Sequence, residues 1–177
     1  MKINNFNHAL LGGTIVCLTL AISPGSFAVD DTALSDISLQ FTDAIDIAAV
    51  QNVQIVDPAT GTDAKAIEDF CVAGMGFSTF EILFESDNGV GVFELVGGGN
   101  KVPYLVGYDN STAGIFTPII EGTALTGQAL NDIATSCIGI VDNSRFEITI
   151  LNASWENGTI LSGGPYTDAL TITVTSE

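Results

Sequence analysis

An alternation of apolar and threonine side chains near the C-terminal end constrains the fold more than any other feature. Its apolar members are Tyr166, Leu170, Ile172 and Val174, and threonines separate the last three. A period of two in β-branched residues is typical of a strand with one buried face, and a Gly-Gly-Pro turn signal precedes it. Because an unpaired strand edge recruits other chains, we expect its outer edge to pair with a strand from another copy of this protein.

The N-terminal region is typical of a secretory signal. An apolar run extends from Ala9 to Ile22, and Ser26 and Ala28 are the small residues expected before a signal-peptidase cut. The run is shorter than the roughly twenty apolar residues that a membrane anchor needs. We therefore expect residues 1–28 to be removed as a signal peptide. The mature chain would begin at Val29, be exported, and not insert into a membrane.

The predicted mature chain is strongly acidic. Its 149 residues suit one domain, and three basic residues against twenty-one acidic ones give a formal charge of −18. Such a surface repels phosphate backbones and anionic headgroups, so nucleic acid is excluded as a partner. Because 46% of the sequence is hydrophobic, the chain can still bury a core.

Two cysteines remain after the signal, Cys71 and Cys137. In an oxidising compartment, an even pair in a small domain predicts one disulfide. It would close a loop of 66 residues, which the chain-entropy model values at roughly 4 kcal/mol. A metal site is the alternative, but the mature chain has no histidine and no CxxC pair. We therefore expect no metal and no cofactor.

The rest of the chain has the pattern of short strands separated by turns. Residues 29–43 predict a half-buried strand with Ile37, Leu39 and Phe41 on one face. Further extended segments are expected near 45–55, 70–72, 77–84, 92–96, 102–108, 115–120 and 146–150. About seven short strands without a long amphipathic helix predict an all-β fold, a β-sandwich.

Two regions have weaker patterns. Residues 59–69 are polar and predict a loop, with a helical turn at 63–68. Residues 124–134 fit either a helical turn or a loop. The glycine run 97–99 joins two apolar segments and predicts a hairpin turn, since it lacks the spacing of a phosphate-binding loop. With no mature histidine, the Ser-His-Asp and Cys-His arrangements are excluded, and we expect no enzymatic activity.

The order of these pieces resembles that of chaperone–usher pilus subunits, in the archaic and alternate groups that include spore-coat-U-like and class 5 pilins. The stretches that carry the resemblance are the signal followed by SDISLQF, then FCVAGMGFSTFEILF, VPYLVGY, TSC at 135–137 and the ending GGPYTDALTITVTSE. The loop at 57–69 and the region 121–136 depart from the family's motifs.

The resemblance implies an immunoglobulin-like sandwich of about seven strands that is incomplete and is completed by a donor strand from a neighbouring subunit. Residues 29–43 would be the donor extension, whose Ile37, Leu39 and Phe41 enter the neighbour's groove, and residues 44–177 would be the pilin domain. The C-terminal strand with Tyr166, Leu170, Ile172 and Val174 would flank that groove. Glu177 would be the anchor point that a periplasmic chaperone grips.

The implied function is that of a fimbrial subunit, polymerising head-to-tail by donor-strand exchange into a surface pilus for adhesion or biofilm formation. Its partners would be other copies or sister pilins, the periplasmic chaperone and an outer-membrane usher. One alternative stays open: residues 29–43 are the first strand of a self-complete secreted sandwich. That sandwich would bind a carbohydrate or a protein, with Trp155 and Phe116 as candidate contacts.

Overall fold

The structure, a computed structural model, describes residues 37–40, 42–56, 58–156, 158–161 and 164–177. The predicted signal at 1–28, most of the predicted extension before Ile37, and Phe41 lie outside the described residues. The chain divides between Ser38 and Leu39, and residues 39–177 form one compact unit. The fold described below is that of this unit.

Nine strands and two single-turn helices make up the described part of the unit. The strands are β1 (Ala44–Ala48), β2 (Ala64–Met75), β3 (Thr79–Ser86), β4 (Phe93–Gly97), β5 (Asn100–Asp109), β6 (Thr117–Ile119), β7 (Leu125–Ala129), β8 (Ser144–Ile150) and β9 (Leu170–Ser176). The helices are α1 (Asn152–Trp155) and α2 (Gly158–Leu161). Neither has the length or the apolar content to cross a membrane.

The strands form two sheets, in which every pairing is antiparallel. The larger sheet has the order β1-β2-β8-β5-β4, with β6 pairing the second half of β5, and the smaller sheet has the order β7-β3-β9. The expectation of an all-β fold is confirmed. The two sheets are also consistent with a sandwich.

Aromatic side chains from both sheets meet in one core. Phe70 of β2 and Phe84 of β3 each lie against Tyr108 and Phe146, with ring centroids 6.0–6.2 Å apart. All four are almost fully buried. Tilted and edge-on contacts at this distance add to the free energy of apolar burial, so this cluster is what joins the two sheets.

The predicted loop at 59–69 is wrong in its second half, because β2 begins at Ala64. From Ala64 to Phe70 the strand pairs with β8, residue by residue. Only alanines and Glu68 occupy the inward positions before Phe70. Alanine contrasts too weakly with polar neighbours for the alternation to be visible in the sequence, and the ladder to β8 imposes the strand.

The unclear region 124–134 contains a strand rather than a helical turn. Residues 125–129 form β7, which pairs with β3. Leu125 is its single large apolar residue, so no periodicity indicates the strand. With β6 and β7 included, the described residues hold more strands than the seven that were expected.

Candidate functional site: the β9 edge

Strand β9 is an edge of the smaller sheet and pairs only with β3 in the described part of the chain. The pairing runs from Leu170 to Ser176 without a shift. Leu170, Ile172 and Val174 face inward and pack against the core, yet remain partly exposed, while the threonines between them are exposed. Because β9 has no charged residue, glycine or proline, no feature of its own sequence opposes the addition of a strand at its outer edge.

Strand β1 lies close to β9 across the gap between the two sheets. Cα atoms of the two strands approach within 8 Å. Apolar side chains on the β1 side are also partly exposed and also pack against the core. We call this region the β1–β9 seam. Its partly buried apolar residues are Ile45 and Ile47 of β1 and Leu170, Ile172 and Val174 of β9.

The outer face of β1 is held by the cysteine pair. The sulfur atoms of Cys71 and Cys137 lie 2.14 Å apart, at disulfide distance. Cys71 stands opposite Ala48 in the β1–β2 ladder, and the backbone N–H of Cys137 donates to Asp46 Oδ2 at 2.9 Å. The segment around Cys137 therefore secures β1 from outside, which fixes one wall of the seam.

The partly buried carboxylate of Asp168 secures the start of β9. Asp168 Oδ2 accepts hydrogen bonds from Ser86 Oγ at 2.7 Å and Tyr104 Oη at 2.6 Å, and Oδ1 accepts one from the Asn88 N–H at 3.2 Å. Burial, together with the bond to Asp168, raises the pKa of Tyr104 far above its ordinary value. The phenol therefore remains a donor, and the second wall of the seam is fixed at this point.

Sequence reasoning missed Asp168 as a positioning residue. Its partners Ser86 and Tyr104 lie 82 and 64 residues away in the chain, so no local pattern joins them. The available signal was an acidic residue placed between a turn and an apolar strand, where a solvated surface carboxylate is the ordinary interpretation.

The predicted donor residues are not part of this unit's sheets where they are described. Ile37 is 93% exposed and Leu39 is 82% exposed, and residues 37–40 belong to no strand. The expectation of a half-buried strand is therefore wrong for these four residues within a single chain. The physical reason is that β1, through residues 44–48, occupies the edge of β2. Phe41 lies outside the described residues.

The predicted groove-flanking residues divide into two groups. Leu170, Ile172 and Val174 lie in β9, but Tyr166 lies before it. At that point the chain still follows the larger sheet, since Val96 and Thr167 exchange backbone hydrogen bonds of 2.9 and 3.1 Å. Tyr166 nevertheless packs against the core, partly buried.

Glu177, the predicted chaperone anchor, is hydrogen-bonded to β3 and to β7. Its N–H donates to the Thr79 carbonyl at 2.9 Å, and its Oε2 accepts from the Gly127 N–H at 2.7 Å. The side chain is thus occupied by β7 in this single chain.

The candidate contacts of the binding-module alternative are not open surfaces. Trp155 is 7% exposed, and the Phe116 ring lies 4.7 Å from the Arg145 guanidinium carbon. Arg145 is itself fixed, because its Nε donates to Asp109 at 3.0 Å. Trp155 is therefore closed to a ligand, and Arg145 covers one face of the Phe116 ring.

Two further findings bear on function. Within the described ranges, no group of three or more histidine, cysteine or acidic residues is placed to hold a metal ion. Comparisons of the chain with protein-family models, curated proteins and solved structures gave no match.

Proposed function

We propose that this chain is a structural subunit that polymerises by adding its N-terminal alternating segment to the β9 edge of another copy. The single observation that carries the proposal is the outer edge of β9, which is regular, uncharged and unpaired in the described part of the chain. The resemblance to chaperone–usher pilus subunits supports the same function, a fimbrial subunit at the cell surface.

The chemistry of the seam suits an added strand. The outer edge of β9 presents backbone N–H and C=O groups that need partners, beside a row of half-exposed apolar side chains. A strand placed there satisfies both at once, which is the basis of recognition by β-strand addition. Burying the three predicted donor residues, Ile37, Leu39 and Phe41, would contribute roughly 5–8 kcal/mol from apolar area.

The apolar residues have the same spacing in β9 and in the predicted donor segment. Leu170, Ile172 and Val174 recur at every second residue of β9, and the three predicted donor residues recur at every second residue of SDISLQF. The predicted extension of fifteen residues is about twice as long as the seven-residue β9. It is therefore long enough to cover the whole strand.

The strand order supports an immunoglobulin-like sandwich that is short of one strand. In that fold, strands A, B, E and D form one sheet, and C, F and G form the other. Across the larger sheet, β1, β2, β8 and β5 take the places of A, B, E and D, and in the smaller sheet β3 and β9 take the places of C and F. The place of G, beside F, is the outer edge of β9.

The direction of the added strand decides whether assembly stays open. The start of β1, the start of β3 and the end of β9 lie at one end of the unit, where Ala44 pairs with Met75 and Glu177 bonds to Thr79. We call this the Asp43 end. The opposite end carries the Gly97–Asn100 turn and the start of β9, and we call it the Gly97 end.

A donor strand antiparallel to β9 runs from the Asp43 end of its host towards the Gly97 end. Its own body then follows at the host's Gly97 end, so unlike ends meet. Such a head-to-tail relation does not close on itself and builds a fibre.

Assembly requires the seam to widen. Two strands that flank a third lie about 10 Å apart, whereas Cα atoms of β1 and β9 lie within 8 Å in the single chain. A periplasmic chaperone that holds the edge open before exchange would meet this requirement. An outer-membrane usher would then order the additions, and adhesion or biofilm formation would be the outcome at the surface.

A matched pair of substitutions in the mature chain tests the proposal. Leu39→Asp places a charge where the donor must bury an apolar side chain, whereas Gln40→Asp changes the opposite face of the same segment. Sedimentation of the purified chains should show polymer for the parent and for Gln40→Asp, and monomer for Leu39→Asp. A parent chain that stays monomeric at high concentration, or equal behaviour of the two variants, would contradict the proposal.

A further inference from the structure

The residue before β1 is held in a fixed place by a glycine. Gly76 has a φ of +95°, and a Cβ atom built on it would lie 3.0 Å from Asp43 Cα and closer still to Asp43 Oδ1. Only glycine permits this approach, both for space and for its backbone conformation. The backbone at Asp43 is therefore packed closely against Gly76, at the Asp43 end.

The length of chain between the donor residues and this fixed point is short. Leu39 is exposed and lies four residues before Asp43, so the two Cα atoms are at most about 14 Å apart. The seven residues of β9 span about 24 Å. When Leu39 is buried near the middle of a neighbour's β9, the residues from Leu39 to Asp43 therefore reach only to the end of that neighbour. No free linker remains between the two bodies.

The surface that would meet the incoming unit is built from two packed segments. At the Gly97 end, the Gly97–Asn100 turn lies against residues 165–167, and a Cβ atom at Gly97 would lie 3.0 Å from Tyr166 Cα. Backbone hydrogen bonds between Val96 and Thr167 join the same segments. This end is thus a fixed surface beside the start of β9.

Resting on the proposed function, we propose that consecutive copies touch end to end, the Asp43 end of one copy against the Gly97 end of the next. The occupant of this surface is a second copy of the chain. It lies there because its own extension is too short to hold the two bodies apart. The joint has no flexible spacer, so the contact between the two bodies sets the orientation of each subunit to its neighbour.

Cross-linking across the two ends tests this contact. Ser78 is exposed at the Asp43 end, and Asn100 lies in the turn at the Gly97 end. A mature chain that carries Ser78→Cys and Asn100→Cys, assembled and treated with a short bis-maleimide, should give a ladder of covalent dimers, trimers and larger species. Each single variant should give none.

Two controls separate this inference from the proposed function. Ile67→Cys lies on the outer face in the middle of β2 and is exposed, so its combination with Ser78→Cys should give polymer without a ladder. A Gly-Ser insertion between Thr42 and Asp43 should leave polymer but abolish the Ser78–Asn100 ladder.

The outcomes that overturn the inference are distinct. Polymer without the Ser78–Asn100 ladder shows that strands exchange but that the bodies do not meet in this way, so the inference alone fails. Dimers from Ser78→Cys alone show that like ends meet, as in a closed exchanged pair, and also overturn it. Absence of any polymer overturns both the inference and the proposed function.

Discussion

Strands β7 and β9 flank the same central strand, β3, but their outer edges differ. The ladder of β7 shifts register between Phe80 and Ile82, which places an extra residue on β7, and Gly127 there has a φ of +70°. The Gly127 N–H is already bonded to the Glu177 carboxylate. A bulge and a charged neighbour are features that protect an edge from strand addition.

The β9 edge has no bulge. Its ladder to β3 is regular over seven residues, and no charge lies within the strand. Two edges of the larger sheet are also interrupted: β6 has three residues with Pro118 at its centre, and β4 is met by Thr167. Among the described strands of the smaller sheet, a regular outer edge without a charge in the strand is confined to β9.

The largest expected effect comes from placing the same charge on each edge. Val174 of β9 and Leu125 of β7 are both partly exposed apolar residues packed against the core. Val174→Lys should reduce assembly affinity at least about a hundredfold, because an added strand would bury the ammonium without a partner.

Leu125→Lys is the matched control for that substitution. It should lower the stability of the folded unit to a comparable extent and leave assembly intact. Assembly can be measured by sedimentation, and stability by urea unfolding of the monomers. If both substitutions abolish assembly equally, the distinction between the two edges is wrong.

The next largest effect concerns the wall opposite β9. Replacing Cys71 and Cys137 together by serine should lower the free energy of unfolding by roughly 4 kcal/mol, since the chain-entropy model assigns that value to a loop of this length. Urea unfolding with and without reductant measures the effect in the parent chain. Detection of two free thiols in protein purified without reductant would contradict the pairing.

A smaller effect is expected at the start of β9. Asp168→Ala leaves the buried hydroxyl of Tyr104 without its acceptor and frees the backbone N–H of Asn88. The free energy of unfolding should fall by about 2 kcal/mol, and hydrogen exchange should speed up first at Leu170. Adding Tyr104→Phe to this variant should restore part of the lost free energy of unfolding, because the unpaired hydroxyl is then removed. If no stability is recovered, the Tyr104 hydroxyl does not depend on Asp168 as its acceptor.

The sequence predicts a strand where apolar and polar residues alternate strongly within the segment. The alternations of β8, at Phe146, Ile148 and Ile150, and of β9 are strong, and both strands lie where expected. The glycine turn between β4 and β5 is likewise as predicted.

The sequence does not predict features that depend on distant partners. The first half of β2 and the whole of β7 have weak patterns of their own and become strands through the ladders to β8 and β3. Asp168 acquires its role from side chains on β3 and β5. The seam itself follows from the packing of β1 near β9, which no local pattern contains.

The smallest expected effect comes from the bulge in β7. At Gly127 no atom lies within 4 Å of a built Cβ, so Gly127→Ala is opposed only by its left-handed backbone conformation. The free energy of unfolding should fall by about 1 kcal/mol, with assembly unchanged, as measured by thermal unfolding and sedimentation. A loss of assembly would show that β7 takes part in it.

Hydrogen exchange of the two edge strands tests the central claim most directly. It compares the polymer of the parent chain with the monomeric Leu39→Asp variant, residue by residue. The account predicts that alternate amides of β9, those that point away from β3, exchange rapidly in the monomer and slowly in the polymer, while the amides of β7 exchange alike in both. Equal exchange of β9 in monomer and polymer, or new protection on β7 instead, would contradict the account.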